Sequence, residues 1–545
     1  MTSSTGERDV AATVRRGRDA LVDALCELGV TTVFGVMGDG NLSWLSIWSG
    51  RPGREFVSAR HEASAVAMAD GAAWHAHVPG VSTVTYGPGL LNAMNAMATA
   101  HRGGAGHVLI TATPRASRPH HPQRYDHAAL VSALGAVRIA VTDAERIAPS
   151  LRQAFRMASE AGILVVVDIE EECFDDDVPA TVCEPPIEAV APPALEWLPQ
   201  IERSIRAAKR LLIVAGVGAE RAGAASALVG LAESTGAWLS TTLPTRGLFA
   251  GHPQYLGNIG GFVTEQALPV IQRCDTVIAF GASLNEFTTD SESLLRGRTV
   301  IQIDRDAAAL GRKYPIDVGV HSDARDAAEA LAARFAGEGV QPPRAVDDMT
   351  VMRAGNDRSD DDGVDPRAAM QRLDAWLPDD RVVITDGGHF VEWPSRYLRA
   401  PSAGSFRTAL AGGSIALGLS MGMGIARTDG SRRVAVVIGD GGLFMSLGDL
   451  ETAVRERIPL IVVAMNDHAY SAEVHKLNRL GLPTDLAYFD DASDLSSAAS
   501  GLGVSVVTAR TPSDLDALPD ADALTGPLLI DLRITRAVVS ARLAR

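Results

Sequence analysis

The chain has 545 residues, of which 21% are charged and 5% aromatic, with 52 glycines and a net charge of −16. That length exceeds what one hydrophobic core serves and predicts two to four domains. The acidic balance argues against a nucleic-acid partner, whose phosphates demand a basic face, and no run of about 18 apolar residues is present to span a bilayer. Residues 1–10 are polar and read as a disordered tail. From Ala11 helical and strand patterns alternate: a helix to about Gly29, a strand over 31–36, a helix from Asn41, and strands over 56–58 and 163–167. Such alternation predicts a parallel sheet with crossover helices over residues 11–183. Pro185, Pro186, Pro192 and Pro193 mark a linker, and a second α/β unit is expected over 195–336, with strands at 211–214, 276–280 and 300–303. The Pro- and Asp-rich stretch 341–365 reads as a solvated linker. Asp365-Pro366 then opens a helix as N-cap and first turn, and a third α/β domain fills 365–545. The four cysteines, Cys26, Cys173, Cys183 and Cys274, lack metal-ligand spacing and read as free thiols, so with no signal-peptide pattern the expected location is cytoplasmic.

The chemistry concentrates in VAVVIGDGGLFMSLGDLETAVRERIPLIVVAMNDHAYSAE, which runs from Val434 to Glu473. Its first β-branched run, 434–438, suits a strand buried on both faces. The run stops at Gly439-Asp440-Gly441-Gly442, where glycines let backbone N–H groups approach an anion and the Asp440 carboxylate is free for a divalent cation. A second apolar strand, 459–465, ends in Asn466-Asp467, so adjacent parallel strands would deliver both acids to one carboxyl edge. A GDG, then 24 intervening residues and such a pair, resembles the cofactor motif of the thiamine diphosphate enzymes, the pyruvate and indolepyruvate decarboxylase and acetolactate synthase group.

That resemblance spans nearly the whole chain and implies three doubly wound parallel-sheet α/β domains: pyrimidine-binding, middle and diphosphate-binding. It implies that Asp440, the Asp467 side chain and the Ala469 carbonyl bind Mg²⁺, which holds the diphosphate. Asp467 stands where the family usually has Asn, and Asn466 remains a rival ligand. In SARHEASAVAMADGAA, Glu62 occupies the position of the glutamate that holds the cofactor's pyrimidine in its reactive form. Asp39, in VFGVMGDGNLSWL, matches the catalytic aspartate of GDFNLSLL in pyruvate-decarboxylase-like enzymes, at the same spacing of 23 residues from the glutamate. His120-His121 resembles the paired histidine that relays protons in those decarboxylases, a task suited to a side chain titrating near neutrality, with His127 as a further candidate. Tyr470-Ser471-Ala472-Glu473 parallels their Tyr-x-x-Glu, in which the glutamate is an acid beside the cofactor's C2.

Further cofactor contacts follow from the same likeness. Ile415, with Ser414 beside it, falls where the family places the apolar wedge that bends the cofactor. Gly388 and His389 match the diphosphate loop of acetolactate synthases, His389 replacing their glutamine, and Gly87, Pro88 and Asn92 match the pyrimidine-domain loop. The Phe-Gln pair that acetolactate synthases carry beyond an aspartate is here Ala128-Ala129, after Asp126. In the middle domain the turns Gly216-Val217-Gly218 and Gly281-Ala282-Ser283 offer an approach for an adenine dinucleotide, but such turns are common after strands and bound FAD is not expected. The expected activity is thiamine diphosphate- and Mg²⁺-dependent, non-oxidative decarboxylation of a small-molecule 2-oxo acid, with possible carboligation to a second carbonyl. The alternative is an acetolactate-synthase-like carboligase; a flavin or NAD oxidoreductase is a more distant one. Ala472 is small where such decarboxylases often have a larger apolar residue, which points to substrates bigger than pyruvate. The resemblance also implies a site shared by two copies, with a homodimer as the minimum and a homotetramer expected.

Overall fold

The structure, a computed structural model, describes residues 15–179, 196–338, 343, 349–489 and 494–541. The expected tail, the proline-rich linker and the boundaries at 183 and 195 lie outside the described residues. The chain divides into two units, Met1–Val190 and Ala191–Arg545, the second containing two sheets.

Each of the three domains is built on a six-stranded parallel sheet with helical crossovers. In the N-terminal unit the strands run Glu55–Ser58, Thr32–Gly35, Gly80–Thr83, His107–Thr113, Leu164–Glu170, Val137–Val141. Its central strands, HVLITAT and LVVVDIE, are buried almost end to end because helices cover both faces. Helix Ile147–Ala161 buries Ile147, Leu151, Ala154, Phe155 and Ala158, the 3–4 spacing of one apolar stripe. On the same core, Trp44 and Trp48 of helix Leu42–Ser49 join Leu21 and Leu25 of helix Gly17–Glu27.

The middle sheet runs Tyr255–Asn258, Trp238–Thr241, Leu211–Ala215, Thr276–Phe280, Thr299–Asp304, Val318–His321. This is the nucleotide-fold order, reversing between Leu211–Ala215 and Thr276–Phe280. The two glycine turns lie there, against each other: Gly218 N–H donates to the Gly281 carbonyl at 3.0 Å, and a Cβ on Gly216 would lie 2.2 Å from that oxygen. Backbone packing across the reversal therefore accounts for these glycines without a ligand. The C-terminal sheet, Phe406–Thr408, Arg381–Thr385, Arg433–Gly439, Leu460–Asn466, Leu528–Arg533, Ser505–Ala509, repeats the order of the N-terminal one.

Buried Arg246 ties the middle domain to the C-terminal one, donating to the carbonyls of Pro394, Thr350 and Leu398 and lying 5.2 Å from the Phe406 ring centre. Helix Pro366–Trp376 starts as its sequence predicts, with the Asp365 side chain accepting from Arg367 N–H. In the stretch before it, residues 355–358 and 360–362 are exposed, as a solvated linker predicts, while its ends are anchored. Within 349–365, Met352 and Val364 are buried, and their N–H groups donate to the Arg396 and Arg533 carbonyls, so apolar side chains and backbone bonds hold it on the domains. Among the described residues no helix is long and apolar enough to cross a membrane.

Candidate active site

In the N-terminal unit the strand order reverses between Thr32–Gly35 and Gly80–Thr83, and the carboxyl ends of strands at such a reversal form a ligand crevice. Helix Glu62–Ala76 begins just past the edge strand, capped by His61, whose Nδ1 accepts from Ala63 N–H at 3.1 Å. Glu62 is half-buried in the first turn, where the helix dipole favours a carboxylate, and accepts from Asn92 Nδ2 at 3.0 Å. Asn92 sits on helix Pro88–Gly103, which starts from Gly87 at φ 64. A Cβ on Gly87 would stand 2.3 Å from the Gln123 carbonyl, so glycine alone permits this turn.

Asp39 is exposed on the turn after Thr32–Gly35. Fully buried Asn41 frames that turn: Nδ2 donates to the Val36 carbonyl and to Thr83 Oγ1, both at 3.1 Å, and Oδ1 accepts from Gly38 N–H at 2.9 Å. Gly40 packs against the Tyr86 ring, which meets His121 edge-on with centres 5.7 Å apart. Burial, then the charges of Glu171 and Asp39, hold the Tyr86 phenol above its ordinary range. His120 is exposed, and His121 Nδ1 accepts from Gln123 N–H at 3.2 Å. His127 does not serve as a proton carrier open to substrate. It is buried, its Nε2 accepts from Gly87 N–H at 3.2 Å and its Nδ1 lies 3.1 Å from Asp168 Oδ2, which occupies both ring nitrogens.

The C-terminal domain brings the two acids of the opening motif to one sheet edge. Arg433–Gly439 and Leu460–Asn466 pair in parallel, so Asp440, first residue of helix Asp440–Met445, and Asp467 leave neighbouring strand ends. Asp440 is 3% and Asp467 8% exposed. Burial, then the charge of Asp467, pushes the Asp440 carboxyl up to about 7. Burial likewise raises Asp467 to about 6, although Ser471 Oγ donates to its Oδ2 at 2.5 Å. Two buried carboxylates acting on each other favour a hard cation as their counter-charge, and their oxygen chemistry fits Mg²⁺. Among the described residues no group of three His, Cys, Asp or Glu side chains is placed to hold a metal, so this fit needs a backbone oxygen as well. The bridge between Ala469 and Tyr488 uses the His468 carbonyl and the Tyr470 amide, not the Ala469 carbonyl.

Asn466 is committed elsewhere. Its Nδ2 donates to Asp531 Oδ1 at 2.8 Å, and its Oδ1 accepts from His468 N–H at 3.3 Å. Tyr470 lies on the glycine turn: a Cβ on Gly441 would be 2.5 Å from its ring. Gly439 abuts Phe390, and Gly388 takes φ 148 to admit that ring. His389 Nε2 accepts from Ser540 N–H at 3.2 Å, and burial, then neighbouring His475, lowers its pKa to about 4, which keeps the ring neutral. Glu473, in the first turn of helix Ser471–Leu480, is exposed and pairs with Lys476 at 2.9 Å, a surface contact of small energy.

Asp386 was invisible as a functional residue in the sequence, where it is one acid of TDGGHF. It is fully buried, accepts from the N–H groups of Ala416 at 2.8 Å and Gly418 at 3.1 Å, and so clamps the loop carrying Ser414 and Ile415. Ile415 is half-buried against Gly387, and Ser414 Oγ donates to the Ile415 carbonyl at 3.0 Å. Burial raises the Asp386 carboxyl to about 6 despite these amides. Asp386→Asn sets an NH₂ against one of the buried N–H donors, and a loss of about 1–3 kcal/mol of stability is expected, read as a lowered midpoint in thermal unfolding.

The acid pair also sets a pH dependence. Cation binding must displace protons held up to about 7 on Asp440 and about 6 on Asp467. Apparent Mg²⁺ affinity is therefore expected to fall by about tenfold per pH unit for each proton displaced as pH drops through this range. Calorimetric titration of the protein with Mg²⁺ at about pH 5 and about pH 8, roughly one unit outside the window on either side, checks it; equal affinities would contradict the pairing.

Three family models match: thiamine pyrophosphate enzyme, N-terminal TPP binding domain, over 15–130; central domain, over 199–331; and C-terminal TPP binding domain, over 386–532. The chain is 27% identical to an acetolactate synthase of Bacillus subtilis (strain 168), covering 98% of this chain and 95% of that protein. It is 28% identical to a probable 2-ketoarginine decarboxylase of Pseudomonas aeruginosa, covering 94% and 93%. Among solved structures, a thiamine diphosphate-dependent 4-hydroxybenzoylformate decarboxylase of Rhodococcus jostii RHA1 superposes with a TM-score of 0.81 over 96% of this chain and 99% of its own. At 22% identity that likeness is one of fold.

Proposed function

The chain belongs to the thiamine pyrophosphate enzyme family, within its acetolactate synthase and decarboxylase group, and from that premise we propose that it decarboxylates a 2-oxo acid without oxidation and releases an aldehyde. When bound, the cofactor supplies the electron sink for the pair left by CO₂. Asp440, Asp467 and the Ala469 carbonyl hold Mg²⁺, and Gly439, Gly441, Gly442 and the Gly388-His389 turn receive the diphosphate. Glu62, oriented by Asn92, holds the proton at the pyrimidine ring nitrogen. Ile415 would offer the cofactor an apolar rest from the loop clamped by Asp386.

The observation that carries the decarboxylase reading is the arrangement of Asp39, Tyr86 and His121 on adjoining loops of the crevice that also carries Glu62. Protic groups gathered there favour protonating the product carbon over adding it to a second carbonyl. Ala472, small where such decarboxylases often have a larger apolar residue, supports a substrate side chain larger than that of pyruvate. The substrate named for the Pseudomonas relative, 2-ketoarginine, supports that size. Holoenzyme supplied with pyruvate and with long-chain and aromatic 2-oxo acids is expected to yield mainly aldehyde and to prefer the larger acids. Acetolactate or another acyloin as the sole product would establish the carboligase alternative. A homodimer is the minimal assembly proposed. Exposed apolar side chains near the loops of each unit support it, Met37 and Leu42 in one and Met445, Leu480 and Leu482 in the other.

A further inference from the structure

A continuous polar chain crosses the N-terminal unit behind its crevice. At its outer end Arg138 Nε donates to Asp168 Oδ2 at 2.8 Å, and Thr113 Oγ1 donates to Asp168 Oδ1 at 2.9 Å. Asp168 Oδ2 lies 3.1 Å from His127 Nδ1, and His127 Nε2 accepts from Gly87 N–H at 3.2 Å. His127 and Asp168 are each 2% exposed. A backbone N–H can only donate, so Nε2 carries a lone pair and the neutral ring holds its proton on Nδ1, facing a carboxylate. Both neighbours thus select the same tautomer. Gly87 is the left-handed residue from which helix Pro88–Gly103 departs, and Asn92 on that helix donates to Glu62 at 3.0 Å.

We infer that Asp168 and His127 are positioning residues: they fix the Gly87 turn and, through helix Pro88–Gly103, the Asn92 amide that orients Glu62. Apolar packing alone would bury the helix, but it would leave rotation about the Gly87 dihedrals, and hence the reach of Asn92, less defined. The inference rests on the reading of Glu62 as the group that holds the cofactor's pyrimidine proton.

The test compares His127→Gln, whose amide still accepts from Gly87 and donates to Asp168, with His127→Met, which fills similar volume and does neither. One readout is amide hydrogen exchange over residues 84–92 in protein without cofactor. The other is exchange of the C2 hydrogen of bound thiamine diphosphate for deuterium in the Mg²⁺-loaded enzyme without substrate. His127→Met is expected to expose the Gly87 amide to exchange and to slow C2 exchange by about 10²-fold, the cost of a displacement of about 1 Å, with the cofactor's dissociation constant unchanged. His127→Gln is expected to restore both. If His127→Met does not fold, Arg138→Met, which frees Asp168 from a partly exposed side chain, carries the same expectation at lower amplitude. Unchanged C2 exchange in either folded Met variant overturns the positioning role. Glu62→Gln, run alongside, separates the two ideas: C2 exchange intact there overturns the reading of Glu62 and the inference with it, whereas exchange lost there but intact in His127→Met overturns the inference alone.

Discussion

Glu62→Gln is expected to lower turnover by about 10²–10⁴-fold, the range over which a positioned acid–base group acts, while cofactor binding and folding survive. Gln keeps the length of the side chain and an oxygen to accept from Asn92 Nδ2, now at 3.0 Å, so the loop contact persists. What it loses is a carboxylate able to hold and return a proton. The helix loses one favourable N-terminal charge, a cost of about 0.3–1 kcal/mol. Steady-state kinetics of the holoenzyme, with thermal unfolding and cofactor titration as controls, decide the matter. Turnover at the wild-type level would remove Glu62 from the chemistry and leave it a helix-terminal carboxylate.

Asp440→Asn should have the second large effect, and its sign should depend on the cation. With Mg²⁺ and cofactor present, loss of one of two buried carboxylates is expected to cost about 2–5 kcal/mol of binding, or ~30- to ~5,000-fold in affinity. Without cation the substitution should stabilise the protein. The Asp440 carboxyl is raised to about 7 by burial and by Asp467, so the folded state keeps a proton that the unfolded chain releases near its ordinary value. Stability is therefore full at low pH and declines as pH rises to about 7. Asn cannot ionise and escapes that penalty. At pH 8, about one unit above the raised value, the variant is expected to melt above wild type without cation and below it with saturating Mg²⁺ and cofactor. Lower melting in both conditions would mark Asp440 as structural only.

Several features were readable from sequence because their causes are local. β-Branched runs such as Val434 to Ile438 suit strands covered on both faces, and Asp365-Pro366 is helix-starting chemistry whatever surrounds it. Strand 433–439 and strand 460–466 pair in parallel, so the arrival of Asp440 and Asp467 at one sheet edge was legible from their spacing. The anchoring of the linker's ends was not legible, because composition does not reveal that Met352 and Val364 find room in the core.

Sequence by itself determined the α/β class, the elements that carry the acids, and the residue types available at each turn, since propensity and periodicity act over a few residues. Tertiary structure alone decided which polar groups are spoken for. Asp531 takes the Asn466 amide, Asp168 and Gly87 take both nitrogens of His127, and Asp386 gathers the amides of a loop some thirty residues on. The physical reason is that a buried donor or acceptor must be matched by whatever the fold brings near it, and strand pairing between segments distant in sequence sets that neighbourhood.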